Sequence, residues 1–251
     1  MKKLVAILIL AGLLAVAGCS QRENSASTGG AAAQGVAQGP KAEAIDRLND
    51  SAQILKELTG AQDAEIPESV LKDAKCVAIV PSMIKGGFVF GGQHGRGVAT
   101  CRNGNSWSAP AFFTLSGGSW GAQIGAEAVD VVMLVMNDQG MKDLMSSKFK
   151  LGASGSVAAG PVGREASANT DISMKSGILT YSRSRGLFAG LDLNGAVVQQ
   201  DDESQDAFYG KNVSFGSILQ GAKPVPADAQ PFLASVRQSF REANVQAGEK
   251  P

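Results

Sequence analysis

Few residues of this chain have side chains suited to catalysis or metal binding. There is one histidine, His94, and there are three cysteines, Cys19, Cys76 and Cys101. Transition-metal sites usually gather several His, Cys or carboxylate ligands at short spacing, and His94 has no such company. No Cys/His pair with an orienting third residue can be identified either. The sequence therefore predicts no catalytic residues, no metal site and no cofactor.

A glycine-dense segment, residues 85–97, is the first candidate for binding. It lacks the Gly-Lys-Ser/Thr ending of a phosphate loop and leads into a predicted strand rather than a helix, which argues against a nucleotide site. Two interpretations stay open. Backbone amides flanked by Lys85, His94 and Arg96 could form a concavity that binds anionic lipid headgroups, or the glycines could serve only strand curvature and tight turns.

A cluster of acids, Asp201, Asp202, Glu203 and Asp206, follows a predicted strand. A calcium loop needs alternating oxygen ligands around a central glycine, and Gly210 comes too late for that. We expect instead a solvated loop and the start of a helix, where acids favour the helix dipole.

The first twenty residues indicate how the protein is held in place. Lys2 and Lys3 precede about 13 apolar residues, which is too short for a comfortable membrane span and typical of a secretory signal. The sequence Val16-Ala17-Gly18-Cys19 resembles the lipobox of bacterial lipoproteins. We expect cleavage before Cys19 and acylation of that cysteine. Ser20, rather than Asp, favours the outer membrane, with the domain in the periplasm. The alternative is an ordinary signal peptide that is cut nearby.

Composition restricts the partners. Lysine plus arginine and aspartate plus glutamate number 23 each, so nothing suggests binding to nucleic acid.

In an oxidising compartment Cys76 and Cys101 could form a disulfide, if their strands are close. They could equally remain buried thiols.

The elements that position these residues follow from hydrophobic periodicity. Residues 19–41 are poor in large apolar side chains and predict a flexible tether. A helix is predicted over residues 42–59, with Ile45, Leu48, Ala52, Leu55 and Leu58 on one face, packed on the domain's own core rather than on a bilayer. Its other face carries Glu43, Asp46, Asp50 and Glu57 against Arg47 and Lys56.

Many short strands follow this helix, and further helices come late in the chain. Strands are predicted at 76–80, ended by Pro81, and at 98–102, 107–115, 121–126, 130–136, 178–184 and within 186–200; helices at 67–74, 139–147, 213–220 and 227–241. This order predicts an α+β fold with a curled or barrel-like antiparallel β-sheet covered by a few helices. One domain is expected over 42–245, followed by a disordered tail at 246–251.

An ordered series of short motifs resembles the SYLF domain family and covers roughly residues 45–240. The series comprises Ile79-Val80-Pro81, Gly86-Gly87-Phe88-Val89-Phe90-Gly91-Gly92, His94-Gly95-Arg96-Gly97, Trp107-Ser108-Ala109-Pro110, Gly121-Ala122-Gln123-Ile124-Gly125, Asp130, Ala159-Gly160-Pro161-Val162-Gly163-Arg164, Lys175, Tyr181-Ser182, Gly186-Leu187-Phe188-Ala189-Gly190 and Phe208-Tyr209-Gly210. The family includes eukaryotic actin-patch proteins and many bacterial lipoproteins. The resemblance implies a lipid-binding domain without catalytic activity.

One departure from the family pattern limits this inference. Eukaryotic members are associated with a basic amphipathic N-terminal helix that binds phosphoinositides. The corresponding helix here is acidic overall, so anionic headgroups would be repelled from that face. We therefore carry over neither phosphoinositide binding nor actin binding.

Three functional hypotheses remain. The first is a membrane-anchored, non-catalytic lipid-binding module whose partners are membrane lipids. The second is a structural or interaction protein of the envelope that binds a protein partner. The third, an envelope hydrolase, would need a pocket with two convergent titratable groups. The sequence does not indicate the oligomeric state.

Overall fold

The computed structural model describes residues 39–58, 66–153, 157–162, 175–184 and 187–248, excluding the side chains of residues 58, 88–90, 119–126 and 244–248. The predictions for the signal, for Cys19 and for most of the tether lie outside these residues. So do residues 249–251 of the predicted tail, whereas residues 246–248 belong to the last helix. The single domain over 42–245 and the disordered tail stay predictions.

Two long strands form the centre of the fold. Strand β1 (Cys76–Asn103) pairs antiparallel with β3 (Ala111–Val135) from Cys76 opposite Val135 to Ala99 opposite Ala111. The strands predicted separately at 76–80 and 98–102 are the two ends of β1, and those at 121–126 and 130–136 belong to one continuous β3.

Proline 81 does not end the first strand, contrary to the sequence prediction. The register of β1 against β3 shifts between Val80 and Met83. Such an irregularity accommodates a proline, which has no N–H to donate to the ladder. Ser82 adopts a positive φ of 48°, and its N–H donates to the Asp130 carboxylate over 2.9 Å. The strand therefore continues beyond Pro81.

The β1–β3 ribbon doubles back on itself, so that the two ends of β1 meet. The Arg102 N–H donates to the Lys75 carbonyl over 2.7 Å. A Cβ added to Gly95 would lie 2.4 Å from Val80 Cγ1, and one added to Gly97 would lie 2.7 Å from the Ile79 carbonyl oxygen. Only glycine fits these two positions, since real Cβ atoms essentially never approach so closely.

The remaining strands extend this ribbon into a curled sheet. Among the described strands, pairing is antiparallel except between β5 and β6. The shorter strands are β2 (Ser106–Trp107), β4 (Lys148–Lys150), β5 (Val157–Ala159), β6 (Ile178–Ser184), β7 (Leu187–Gly190) and β8 (Val197–Gln200). The predicted α+β class with a curled antiparallel sheet is confirmed.

Helices cover both faces of the sheet. They are α1 (Pro40–Leu58), α2 (Glu68–Asp73), α3 (Asp138–Met145), α4 (Asp202–Tyr209), α5 (Phe215–Leu219) and α6 (Gln230–Gly248), with a 3₁₀ turn at Ala227–Ala229. One core lies between the sheet and α1, α2 and α6, and the second contains residues of α3 and α5. Within the described residues, no helix has the length and apolar character needed to cross a membrane.

Helix α1 packs on the core, as predicted. Leu48, Ala52 and Leu55 are buried, as is Ile54, which the sequence analysis did not include. The Ser239 hydroxyl of α6 donates to the Leu55 carbonyl over 2.9 Å, which joins the two helices directly. The apolar stripe of α1 is thus part of the domain's first core.

Replacing Leu55 with aspartate should unfold much of this packing. The side chain is fully buried, so Leu55→Asp creates a cavity and buries a charge, and we expect a loss of at least about 3 kcal/mol of unfolding free energy. Gln53→Asp introduces the same charge at an exposed position of the same helix and should melt close to the parent. Equal thermal melting curves for the two variants would contradict this packing.

Candidate functional site

A buried carboxylate lies where β8 ends and α4 begins. Asp201 is 6% exposed and caps α4, since its side chain accepts hydrogen bonds from the Ser204 N–H (3.2 Å) and the Ser204 hydroxyl (2.7 Å). Its own N–H donates to the Phe112 carbonyl of β3 over 3.0 Å. We call Asp201, Ser204 and the charged residues around them, Glu43, Arg47, Arg96 and Glu203, the Asp201 cluster.

Arg47 of α1 reaches into this cluster. Its guanidinium donates to Asp201 Oδ2 over 3.1 Å and to the Ser204 hydroxyl over 3.3 Å, and its Cζ lies 5.4 Å from the centroid of the Phe112 ring. The side chain is only 6% exposed. The sequence analysis placed Arg47 on the polar face of α1; in the structure it is buried, because the Asp201 carboxylate compensates its charge.

Arg96 of β1 is the second cation of the cluster. Its Nε donates to Asp201 Oδ2 over 3.1 Å, Nη1 to Glu43 over 2.7 Å and Nη2 to Glu203 over 3.1 Å. Three carboxylates from α1 and from the start of α4 therefore occupy the guanidinium. Arg96 thus joins three elements of the fold; its contact with an anionic headgroup stays a prediction, and the proposal below is built on Lys85.

The cluster keeps Asp201 charged. Burial alone would raise the pKa of Asp201, but hydrogen bonds from Ser204 and Arg96 and the charge of Arg47 hold it below the ordinary 3.8. Burial lowers the pKa of Arg47, and the Asp201 charge offsets part of that shift. The acids after β8 were predicted to be solvated; Asp201 is instead the buried centre of an ionic network.

The partnership between Asp201 and α1 is not predicted by the sequence. The available signal was a local one, an aspartate three residues before Ser204 at the end of a strand, which is typical of a helix N-cap. Nothing in the local pattern indicated that Arg47, 154 residues earlier, would meet it.

Lys85 and His94 have different surroundings from Arg96. Lys85 is half-buried and lies opposite Glu127 of β3; burial lowers the pKa of its amine, and Glu127 counteracts that shift. His94 is exposed and lies opposite Ser116. Beside Lys85, Ile84 is 59% exposed. Among the described residues, no hydrogen bond or ion pair within 4 Å engages the side chain of Lys85 or that of His94.

Cys76 and Cys101 are joined by a disulfide, with their Cα atoms 4.0 Å apart. Both belong to β1, one at each end. The doubling of the ribbon brings them together, which is why their proximity could not be inferred from the order of the strands.

One sequence pattern of hydrolases occurs in the chain, but its place in the fold differs from that of a catalytic serine. Residues 117–121 (GGSWG) match the Gly-x-Ser-x-Gly pattern of hydrolases, but they lie inside β3, whereas a nucleophile elbow requires a strand-to-helix turn. Within the described part of the chain, no group of three or more His, Cys, Asp or Glu is placed to hold a metal ion.

The fold and its ionic network define a domain of the α+β class, and comparison with known proteins identifies its family. Residues 116–239 match the family model Ysc84, described as "Las17-binding protein actin regulator". The chain belongs to the Ysc84/SYLF family, which confirms the resemblance seen in the sequence.

Several relatives are similar to this chain over most of its length. The chain is 37% identical over 175 residues to Protein YSC84 of Saccharomyces cerevisiae, covering 68% of this chain and 37% of that protein. It is 36% identical to the yeast LAS seventeen-binding protein 3 over 72% of this chain and 41% of that protein. It is 33% identical to the human SH3 domain-containing YSC84-like protein 1 over 80% of this chain and 60% of that protein. The chain thus spans 37–60% of the length of these relatives, and what it shares with them is an interaction domain.

Replacing Asp201 with asparagine should destabilise the domain. Asp201→Asn keeps the size of the side chain but removes the ion-pair partner of the buried Arg47, so we expect a loss of about 3 kcal/mol. Asp202→Asn removes the same charge at the next, exposed position and should cost far less. Chemical denaturation of both variants measures the difference, and equal midpoints would contradict the role of the cluster.

The difference in stability between the parent and Asp201→Asn should also depend on pH. Because folding lowers the pKa of Asp201, its contribution is present above the unfolded value of 3.8 and is lost as pH falls through the folded value. The stability gap between the parent and Asp201→Asn should therefore be constant near neutral pH and shrink below about pH 4. Denaturation at a series of pH values tests this; a gap that widens in acid would contradict it.

Proposed function

We propose that this chain is a lipid-anchored envelope lipoprotein whose SYLF domain is a non-catalytic module that binds membrane lipid. The observation that carries the proposal is Cys19, in a sequence that resembles a lipobox, placed ahead of an interaction domain of this family. An acyl anchor and a flexible tether keep such a domain close to a membrane surface.

The disulfide between Cys76 and Cys101 supports export. Disulfides form and persist in oxidising compartments such as the bacterial periplasm and are rare in the cytosol. It joins the two ends of the strand on which the sheet is built, and this supports placement of the folded domain in the periplasm. The outer membrane is proposed for Cys19 because Ser20, rather than Asp, follows it.

The anchor predicts a defined effect of one substitution. Cys19→Ala should abolish acylation and leave unprocessed precursor or protein released from membranes. Incorporation of labelled palmitate, together with membrane flotation, measures both. Ser20→Ala keeps the cysteine and should remain labelled. A Cys19→Ala protein that still carries label would contradict the anchor, and an unlabelled, processed parent would indicate an ordinary signal peptide.

Lipid contact is supported by the neighbourhood of Lys85. Ile84 is one of two large hydrophobic residues that the described structure leaves exposed, and a half-buried amine follows it on the same strand. These two side chains project from opposite faces of the strand, so both would meet a bilayer where the edge of the ribbon enters the boundary between acyl chains and anionic headgroups. An anionic surface would also favour the protonated amine, against the burial that lowers its pKa.

Removing the Lys85 charge should weaken binding to anionic vesicles. We expect Lys85→Gln to lose about 1 kcal/mol of binding free energy at low salt, with a smaller effect as salt rises. The measurement is vesicle sedimentation with the full chain carrying Cys19→Ala, so that no acyl chain contributes. Lys148→Gln, at an exposed position of β4, is the matched control. Equal binding by both variants would remove Lys85 from the lipid surface.

A protein partner is the second candidate. The names of the relatives favour it, because LAS seventeen-binding protein 3 is named for a protein that it binds. Site-specific crosslinking from position 84 in intact cells separates the alternatives. A discrete adduct with one protein would favour a partner, whereas adducts with lipid alone would favour the membrane.

A further inference from the structure

A cleft lies between the turn that joins β1 to β2 and the helix α6. Its volume is about 410 Å³, and it is lined by Arg102, the turn residues 104 and 105, both residues of β2, Arg237, Phe240 and Arg241. We call it the Arg102 cleft. Its size falls within the range of about 300–1,000 Å³ that is usual for small-molecule sites.

The aromatic floor of the cleft holds one guanidinium in place. The rings of Trp107 and Phe240 pack with centroids 4.7 Å apart, and Arg102 Cζ lies 5.0 Å and 5.4 Å from them. Arg102 Nε donates to the Ala74 carbonyl over 2.9 Å, and Nη2 donates to the Lys72 carbonyl over 3.4 Å. Within the described residues Nη1 has no acceptor, so an oriented donor remains available to a ligand.

Two more guanidiniums belong to the rim. Arg237 and Arg241 are exposed and lie four residues apart on α6, which places them on the same helix face. Their like charges repel at this spacing, and a bound anion would relieve the repulsion.

These cations differ from the other arginines of the described structure. Arg47, Arg96 and Arg183 each contact a carboxylate. In contrast, no carboxylate among the described residues lies within 4 Å of the charged groups of Arg102, Arg237 or Arg241. Burial lowers the pKa of Arg102, and the more distant Asp73 counteracts this only in part. Three positive charges therefore converge on one cleft without a close counterion from the described chain.

The charge of the cleft indicates the class of ligand. Guanidinium groups bind carboxylate and phosphate oxygens in a bidentate manner. A phosphate monoester carries a charge of about −1.5 to −2 and three acceptor oxygens, so it complements three guanidiniums better than a single carboxylate does. From the convergence of Arg102, Arg237 and Arg241 on this aromatic-floored cleft, we propose that it binds a terminal phosphate group, carried by a lipid headgroup or by a soluble phosphate compound. The site stands without the proposed anchor, because it requires no membrane.

The test uses the full chain carrying Cys19→Ala, with pyrophosphate as a soluble probe and calorimetry as the readout. We expect binding that weakens about 10-fold or more when Arg237→Gln and Arg241→Gln are combined, and that weakens further as salt rises. Both side chains are exposed, so the double variant should melt like the parent. Arg102 is not the first choice for substitution, because its guanidinium also holds backbone carbonyls at the end of α2.

The control is a second double variant, Lys148→Gln with Lys211→Gln, which removes the same charge from exposed positions elsewhere. A parallel arm uses phosphatidylcholine vesicles with and without phosphatidic acid. Vesicle binding that depends on Arg237 and Arg241 assigns the phosphate to a lipid, and pyrophosphate binding without vesicle binding assigns it to a soluble compound. Absence of both, or equal losses in the two double variants, overturns the site. An unlabelled Cys19 would overturn only the anchor.

Discussion

The fold depends on one steric constraint, the close contact between the two halves of β1. Gly95 and Gly97 let the second half of the strand approach Val80 and the Ile79 carbonyl more closely than any Cβ would allow. With larger residues there the ribbon could not double back, and its ends could not meet. The disulfide between Cys76 and Cys101 and the hydrogen bond between Arg102 and Lys75 both follow from that contact. Packing thus explains why glycine occupies positions 95 and 97.

Upon this curled ribbon, the Asp201 cluster fixes the position of the N-terminal helix. Buried ion pairs repay the cost of desolvation only when their geometry is good and further hydrogen bonds satisfy the charged groups. Asp201 meets this condition through Ser204, Arg47 and Arg96. These residues come from α4, α1 and β1, so the network fixes which part of α1 lies over which part of the sheet. Apolar packing alone would fix this position less precisely.

The same network accounts for the acidic character of α1. Glu43 pairs with Arg96, and Glu57 forms an ion pair with Arg183 of β6. The acidic residues of α1 thus neutralise arginines of the sheet, and these charges of α1 are used for contacts within the domain. A basic helix at this position would remove one carboxylate partner from each of these arginines and place like charges beside them. Charge available for anions therefore lies elsewhere, at Lys85 on the ribbon and in the cleft beside α6.

The sequence by itself determined the local elements and the class of fold. The periodicity of Leu48 and Leu55 predicted α1 and its buried face, and the residues of β6 were predicted with the observed bounds, because these signals depend on near neighbours in the chain. The ordered motifs also identified the family. Only the tertiary structure decided that β1 runs past Pro81, that Cys76 meets Cys101, and that Arg47 and Arg96 share Asp201. The cleft of Arg102, Arg237 and Arg241 was decided in the same way. Each of these features joins distant parts of the chain, except the continuation of β1 past Pro81, which depends on a shift of register against β3. Such contacts follow from how the ribbon curls, and no local pattern of residues encodes that geometry.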